Sequence, residues 1–197
     1  MNEVGRVALA TAAAAAAAVD FSDLSLALLS WMPTALGIAR LGSARTGDLA
    51  VQYYGRLRVA QIGEEYSGPS LIWAAEIDLG QFGNSASYAL LGVYRRAVAA
   101  GRAPDIAAAF ARAAMARSTS RYALAGGRNT IGAAVRGDGE AVGWRRRGSG
   151  GPCAFCSTLI GRGPVYKTAE SAGKLHAYHD NCHCFTEPVF RPARIST

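Results

Sequence analysis

All four cysteines of the chain stand in one C-terminal stretch, as Cys153 and Cys156 in GPCAFC and Cys182 and Cys184 in YHDNCHC. Structural zinc is held by four nitrogen or sulfur ligands in a tetrahedron, and two close pairs separated by a loop are how a short segment supplies them. His179 precedes Cys182 by one short turn and adds a fifth donor, with His176 and His183 nearby. In an extended strand His183 points away from the side that Cys182 and Cys184 share. The residues therefore nominate Cys153, Cys156 and Cys182 as ligands of a structural Zn2+, with the fourth place open between Cys184 and His179.

Other cysteine chemistries fit less well. Disulfides need an oxidising compartment and crosswise pairing, because bridging a Cys-x-x-Cys pair constrains almost none of the chain. A redox Cys-x-x-Cys stands at the start of a helix in a βαβ setting, whereas this one follows a glycine-rich turn. The segment PCAFC matches half of the zinc-deaminase pattern, but that chemistry needs an upstream His-x-Glu, and every histidine lies downstream. Zinc binding to such a segment contributes on the order of 10–16 kcal/mol, against about 3 kcal/mol for closing the intervening loop. Metal can thus organise a tail with few large apolar residues, and Phe155, Leu159, Ile160, Val165, Tyr166, Phe185, Val189 and Phe190 are expected to pack around it.

The rest of the chain reads as helix. The run from Val7 to Val19 is almost all alanine, the residue with the highest helix propensity, and is too short for a bilayer that needs about 20 residues. Asp20 or Ser22 is expected to cap a helix carrying Leu24, Leu28 and Trp31, interrupted at Pro33. Leu49, Tyr53 and Leu57 then recur at helical spacing. Residues 67–84 hold the glycines and proline of a connection. Asn84 or Ser85 opens an amphipathic helix with Leu90, Leu91, Tyr94 and Val98 on one face, Arg95 and Arg96 on the other, and Gly101 as its stop. Pro104 and Asp105 begin the next, with Ile106, Ala109, Phe110 and Ala113 as its buried stripe, running to the Gly126-Gly127 pair. A shorter helix follows as far as Gly137. Arg117, Arg121, Arg128 and Arg136 recur along these last two helices and read as a solvated outer face. Strand-like Val142 and Trp144 then lead into three arginines and a Gly/Ser linker.

The expected fold is mainly α: a helical body over residues 1–140 with an alanine-rich N-terminal segment, followed by a small zinc-stabilised α+β domain over 141–197, rich in Cys and His. No Walker loop, His-Glu-x-x-His helix or nucleophile elbow occurs, and the acids are scattered, so no enzyme activity and no small-molecule substrate are expected. The formal charge of +7, almost all from arginine, favours an acidic neighbour such as nucleic acid.

The run CAFCSTLIGRGPVY, a spacer containing TAESAG, and YHDNCHCFTEPVF together resemble the C-terminal part of the MuF-like minor capsid (head morphogenesis) proteins of tailed bacteriophages, especially those infecting actinobacteria. The matching positions are Cys153, Cys156, Arg162, Gly163, Val165, Tyr166, His179, Cys182, Cys184, Pro188 and Val189. The detailed likeness covers residues 126–190. It implies a structural head protein in the capsid interior near the portal, present in the host cytoplasm during assembly, with the phage portal protein, the major capsid protein and packaged double-stranded DNA as partners and no membrane. The protease and ADP-ribosyltransferase domains fused to some relatives have no counterpart in these residues. The alternative expectation is an independent zinc-stabilised nucleic-acid-binding module.

Overall fold

The computed structural model describes residues 2–66, 76–148, 151–173, 182 and 184–191. Part of the 67–84 connection, and His176, His179 and His183, lie outside the described residues. The chain is mainly helical with a small two-stranded sheet at its C-terminal end.

Helix α1 (Asn2–Ala17) is the alanine segment. Its Ala8, Ala12 and Ala16 are buried against α5 (Pro104–Ala123), where Ala107, Ala108, Ala111 and Ala114 are buried in turn. Methyl side chains let two helix axes approach closely. The expected stripe on α5 is therefore the wrong one: Ile106 and Phe110 are 44% and 48% exposed, and Ala109 and Ala113 are exposed beside them. Close fit of alanine ridges, and not the size of the apolar residue, chose the buried face. Arg112 of α5 donates from Nε to the Ala16 carbonyl (3.2 Å), which also accepts from the Val19 N–H, and from Nη2 to the Val19 carbonyl (2.9 Å), so a cation sits at the negative end of α1.

Helix α2 (Leu24–Ile62) is one long element. Asp23 caps it, accepting from the Ser25 and Leu26 N–H groups at 2.8 and 3.1 Å. Asp20 instead accepts from Ser22, one turn too early. Pro33 does not interrupt the helix. Pro33 and Leu29 both lie on the exposed face, so the Leu29 carbonyl, deprived of its usual donor, is open to water. By length and composition α2 could cross a membrane, yet in this fold its stripe of Ala27, Trp31, Ala35 and Ala39 packs with α1, α3 and α5.

The middle of α2 crosses the junction of α5 and α6 (Ala125–Arg136) at very short range. A Cβ placed on Gly126 would lie 2.0 Å from the Ser43 carbonyl oxygen, and one on Gly42 would lie 2.4 Å from the Ala123 Cβ. Thr46 Oγ1 donates to the Ala123 carbonyl (2.8 Å) and accepts from the Gly127 N–H (3.1 Å). Gly126 and Gly127 are thus not a helix stop. Both sit buried in the first turn of α6, and at Gly126 only a hydrogen fits under α2.

Asp78 caps α3 (Leu79–Ser87), accepting from the Gln81 N–H at 2.9 Å, so this helix starts before the expected Asn84 or Ser85. A π turn, Tyr88–Gly92, joins it to α4 (Val93–Ala99), and Gly101 ends the segment at φ 76°. Leu90 is buried and Arg95 and Arg96 are exposed, as the amphipathic pattern requires, whereas Val98, expected on the apolar face, is exposed near the end of α4.

The C-terminal segment contributes β1 (Ala141–Arg147), α7 (Ala154–Gly161) and β2 (Phe185–Phe190). The strands are antiparallel, with Trp144 opposite Pro188 and Arg145 opposite Glu187. Trp144 exchanges both backbone hydrogen bonds with Tyr166 on its other side, which leaves a non-hydrogen-bonded position opposite and makes a proline there tolerable. Trp144, Leu159 and Tyr166 share an apolar cluster with Ala50 of α2 and Ile131 of α6, and Phe190 packs with Tyr54, Ile62 and Ala134. Contrary to expectation, Phe155 and Val165 are exposed. Just before β1, buried Asp138 accepts from the Tyr54 hydroxyl (2.9 Å) and from Arg58 Nε (3.0 Å).

Gly126→Ala is expected to destabilise the chain by about 2–4 kcal/mol, because backbone must move away from Ser43. Gly37→Ala, at a helical site with nothing within 4 Å, should be neutral or stabilising by up to about 1 kcal/mol. Urea denaturation of the two variants measures the contrast.

Candidate metal centre

Pro152 and the helical propensity of AFCSTLIG set the local geometry of the first cysteine pair. Cys153 is the N-cap of α7, its Sγ accepting from the Cys156 N–H at 3.5 Å, and Cys156 sits in the first turn. The pair therefore does open a helix, against the expectation from its glycine-rich approach. The βαβ surroundings of a redox pair are missing, since α7 follows an antiparallel strand.

The Sγ atoms of Cys156, Cys182 and Cys184 all lie within 4.8 Å of one another, and all three residues are buried. Cys156 and Cys182 are 3.9 Å apart sulfur to sulfur. That is far beyond a disulfide of about 2.05 Å and close to the roughly 3.8 Å between sulfurs of a tetrahedral ion with metal–sulfur bonds of about 2.3 Å. All four cysteines are free thiols. Cys153, half-buried, packs against the other three together with Ile160. Gly148 makes room for this arrangement: a Cβ there would lie 2.6 Å from Ile160 Cδ1 and 3.4 Å from the Cys184 sulfur. Three buried soft donors converging at this spacing could bind a metal ion. Of the two contenders for the last ligand place, Cys184 lies in the converging group and His179 lies outside the described residues.

Two arginines flank the thiols, and neither was legible as part of the site. Arg146, on β1 and 1% exposed, aims Nη2 at the sulfurs of Cys156 (3.4 Å) and Cys182 (3.7 Å), while Nη1 donates to the Gly173 carbonyl at 3.2 Å. Arg128 belongs to the series read as a solvated outer face, yet it is buried and donates from Nη2 to the carbonyls of Cys182 and Cys184, the latter at 3.2 Å. The tail covers α6 at this point, which periodicity within α6 does not reveal. Arg128 fixes the backbone that carries two sulfurs; Arg146 places positive charge beside the sulfurs themselves.

Burial pushes the Cys156 thiol up to about 12, against the opposing pull of Arg146, and raises that of Cys184 as well. A nucleophilic or redox cysteine needs the opposite shift. With a cation bound, the sulfurs would bind it as thiolates, and the cluster would carry net negative charge facing Arg146. Buried Glu187 of β2 is raised to about 7 by desolvation. It accepts from Tyr53 and Arg145 and lies 3.4 Å from Arg147 Nε, tying β1 and β2 to α2.

A family model, VG15 protein, matches residues 2–196, nearly the whole length over which this fold and its thiol cluster are built. The chain belongs to the VG15 protein family. VG15 is a family of viral proteins, which agrees with a phage structural protein and with association with the virion. No curated protein and no solved structure matches the chain.

Arg146→Met, which keeps the length of the side chain and removes its charge, is expected to weaken Zn2+ binding 10–100-fold, the size of effect that partners of metal ligands commonly have. Competition with a chromogenic chelator reads the change directly.

Proposed function

We propose that this VG15 protein is a minor capsid, head-morphogenesis protein of a tailed phage: a non-enzymatic component of the capsid interior near the portal. It assembles in the host cytoplasm with the portal and major capsid proteins and lies against packaged double-stranded DNA. The observation that carries this reading is the family match over nearly the full chain, reinforced by the MuF-like cysteine spacing. The site adds support for a structural role. The sulfurs of Cys156, Cys182 and Cys184 are buried and the thiols of Cys156 and Cys184 are shifted away from nucleophilic character, so a bound ion would brace the tail instead of activating water.

The ion proposed is Zn2+, held by Cys156, Cys182 and Cys184 with Cys153, at the cap of α7, as the fourth ligand. Spare coordination by His179 is not required by this set. Zinc suits an all-sulfur tetrahedron and performs no redox chemistry. It would contribute most of the folding free energy of the segment that joins α7 to β2, where few large apolar residues are available.

Because burial raises the thiols of Cys156 and Cys184, protons must leave when zinc enters, so lower pH favours the metal-free, protonated site and higher pH the loaded one. Zinc affinity is expected to rise by about one decade per pH unit for each thiol that binding deprotonates. Calorimetry in buffers of different ionisation enthalpy counts the protons released.

The placement is tested on particles. Mass spectrometry of purified virions should find the protein at low copy number, and cryo-electron microscopy should find its density inside the head at the portal vertex. Presence in infected cells but absence from virions, together with salt-dependent DNA binding by the isolated protein, would instead favour a free nucleic-acid-binding module.

A further inference from the structure

Helix α2 carries a face that the fold does not use. From Leu24 to Ala39 it holds no charged residue, and its most apolar window, long enough to cross a membrane, is only 22% buried. Trp31, Ala35 and Ala39 face the core. Leu26, Leu29, Pro33, Gly37 and Arg40 follow one another at steps of three and four residues on the opposite side, and all are exposed. Leu26 and Leu29 keep 64% and 71% of their surface in water, one turn apart on the same stripe, which is more than the scattered apolar residue that a soluble surface tolerates. A chain of formal charge +7 repels its own copies in general, and an uncharged helix face is where two of them can meet without like charges at the contact.

The face is complementary to itself. Turned end for end against a copy of itself and centred between Trp31 and Met32, the stripe sets Asp23 level with Arg40 of the second copy, and twofold symmetry repeats the pair. Asp23 caps α2 through Oδ1, and its Oδ2 can meet a guanidinium. In the same register Leu26 comes over Gly37, where a Cβ would meet nothing within 4 Å in its own chain, so a large side chain enters the groove that a missing one leaves. Thr34, also exposed, comes level with Leu29. Pro33 deprives the Leu29 carbonyl of its usual helical donor, and a threonine hydroxyl can donate to it. Lipid tails supply neither a donor for that carbonyl nor a partner for either charge.

We propose that the outer face of α2, from Asp23 to Leu41, is a twofold contact between two copies of this chain, with the two helices packed antiparallel. The leucines and Gly37 supply the apolar contact, and the two Asp23–Arg40 pairs at its ends set the register. The stripe is about 27 Å long and presents far fewer than the roughly 20–30 residues a side of a standard interface. The dimer is therefore weak, with a dissociation constant in the micromolar range, and forms where copies are concentrated.

The test is sedimentation equilibrium of the full chain loaded with zinc, from about 1 to about 200 μM, a span that brackets a micromolar dissociation constant. L26E/L29E puts carboxylates on the stripe, and I106E does the same at an exposed apolar residue of α5 away from it. R40E places a carboxylate level with Asp23 of the second copy, and D23N/R40E relieves that repulsion while asparagine keeps the helix cap. Circular dichroism and melting temperature at the lowest concentration check that each variant folds. The wild type and I106E should pass from monomer to dimer across the range and go no further, and L26E/L29E should stay monomeric throughout. R40E should weaken the dimer about tenfold at low salt, and D23N/R40E should recover at least threefold of that loss. A wild type that is monomeric at every concentration, or a dimer that L26E/L29E leaves intact, would overturn the contact. Equal weakening in R40E and D23N/R40E would overturn the antiparallel register. Vesicles of phosphatidylcholine are the last probe: a monomeric wild type that binds them, and loses binding in L26E/L29E, would assign the face to lipid and refute the second copy as its occupant.

Discussion

Three cysteine sulfurs and a guanidinium share one buried space. A buried cation costs several kcal/mol unless negative charge meets it, and buried thiols resist ionisation for the same reason. A divalent ion between the sulfurs would draw protons off and leave a net negative cluster for Arg146 to face. Arg128 completes the arrangement from α6, holding the carbonyls of Cys182 and Cys184, and so the metal centre is bolted to the helical body as well as to its own strands.

That attachment explains why α6 must be where it is. Its first turn lies under α2 at a separation that only Gly126 permits, and Thr46 bridges the junction with one hydroxyl acting as donor and acceptor. Displacing α6 outward would carry Arg128 and Ile131 with it, loosening the sulfur-bearing loop and the cluster around Trp144 together. The close helix crossing and the metal centre are therefore mechanically linked, although the residues concerned are far apart in sequence. Glu187 and Asp138 add buried polar ties between the tail and α2, through Tyr53, Tyr54 and Arg58.

Arginine has several distinct roles here that net charge averages together. Arg112 donates to carbonyls at the end of α1, Arg146 and Arg128 serve the sulfurs and their backbone, Arg58 and Arg145 meet buried carboxylates, and Arg96, Arg117 and Arg121 line a cleft beside α5. The sequence shows the surplus, but it does not show which cations are buried. The cysteine spacing was legible because ligand geometry is local, and so were the alanine helix, the Gly101 stop and the strand around Trp144. The faces of α5, the use of Gly126 and the burial of Arg128 were not, because each depends on a partner distant in the chain. The cap of α2 was missed by one turn or less: Asp20 and Asp23 offer equivalent carboxylates, and only the path of α2 decides between them.

The central claim is that a single ion gathers the sulfurs of Cys156, Cys182 and Cys184. X-ray absorption spectroscopy of the purified full-length protein at the zinc edge tests it most directly. The account predicts one zinc per chain with three or four sulfur neighbours at about 2.3 Å and no bound water. Protein that folds fully without metal, or zinc surrounded mainly by oxygen and nitrogen, would contradict it.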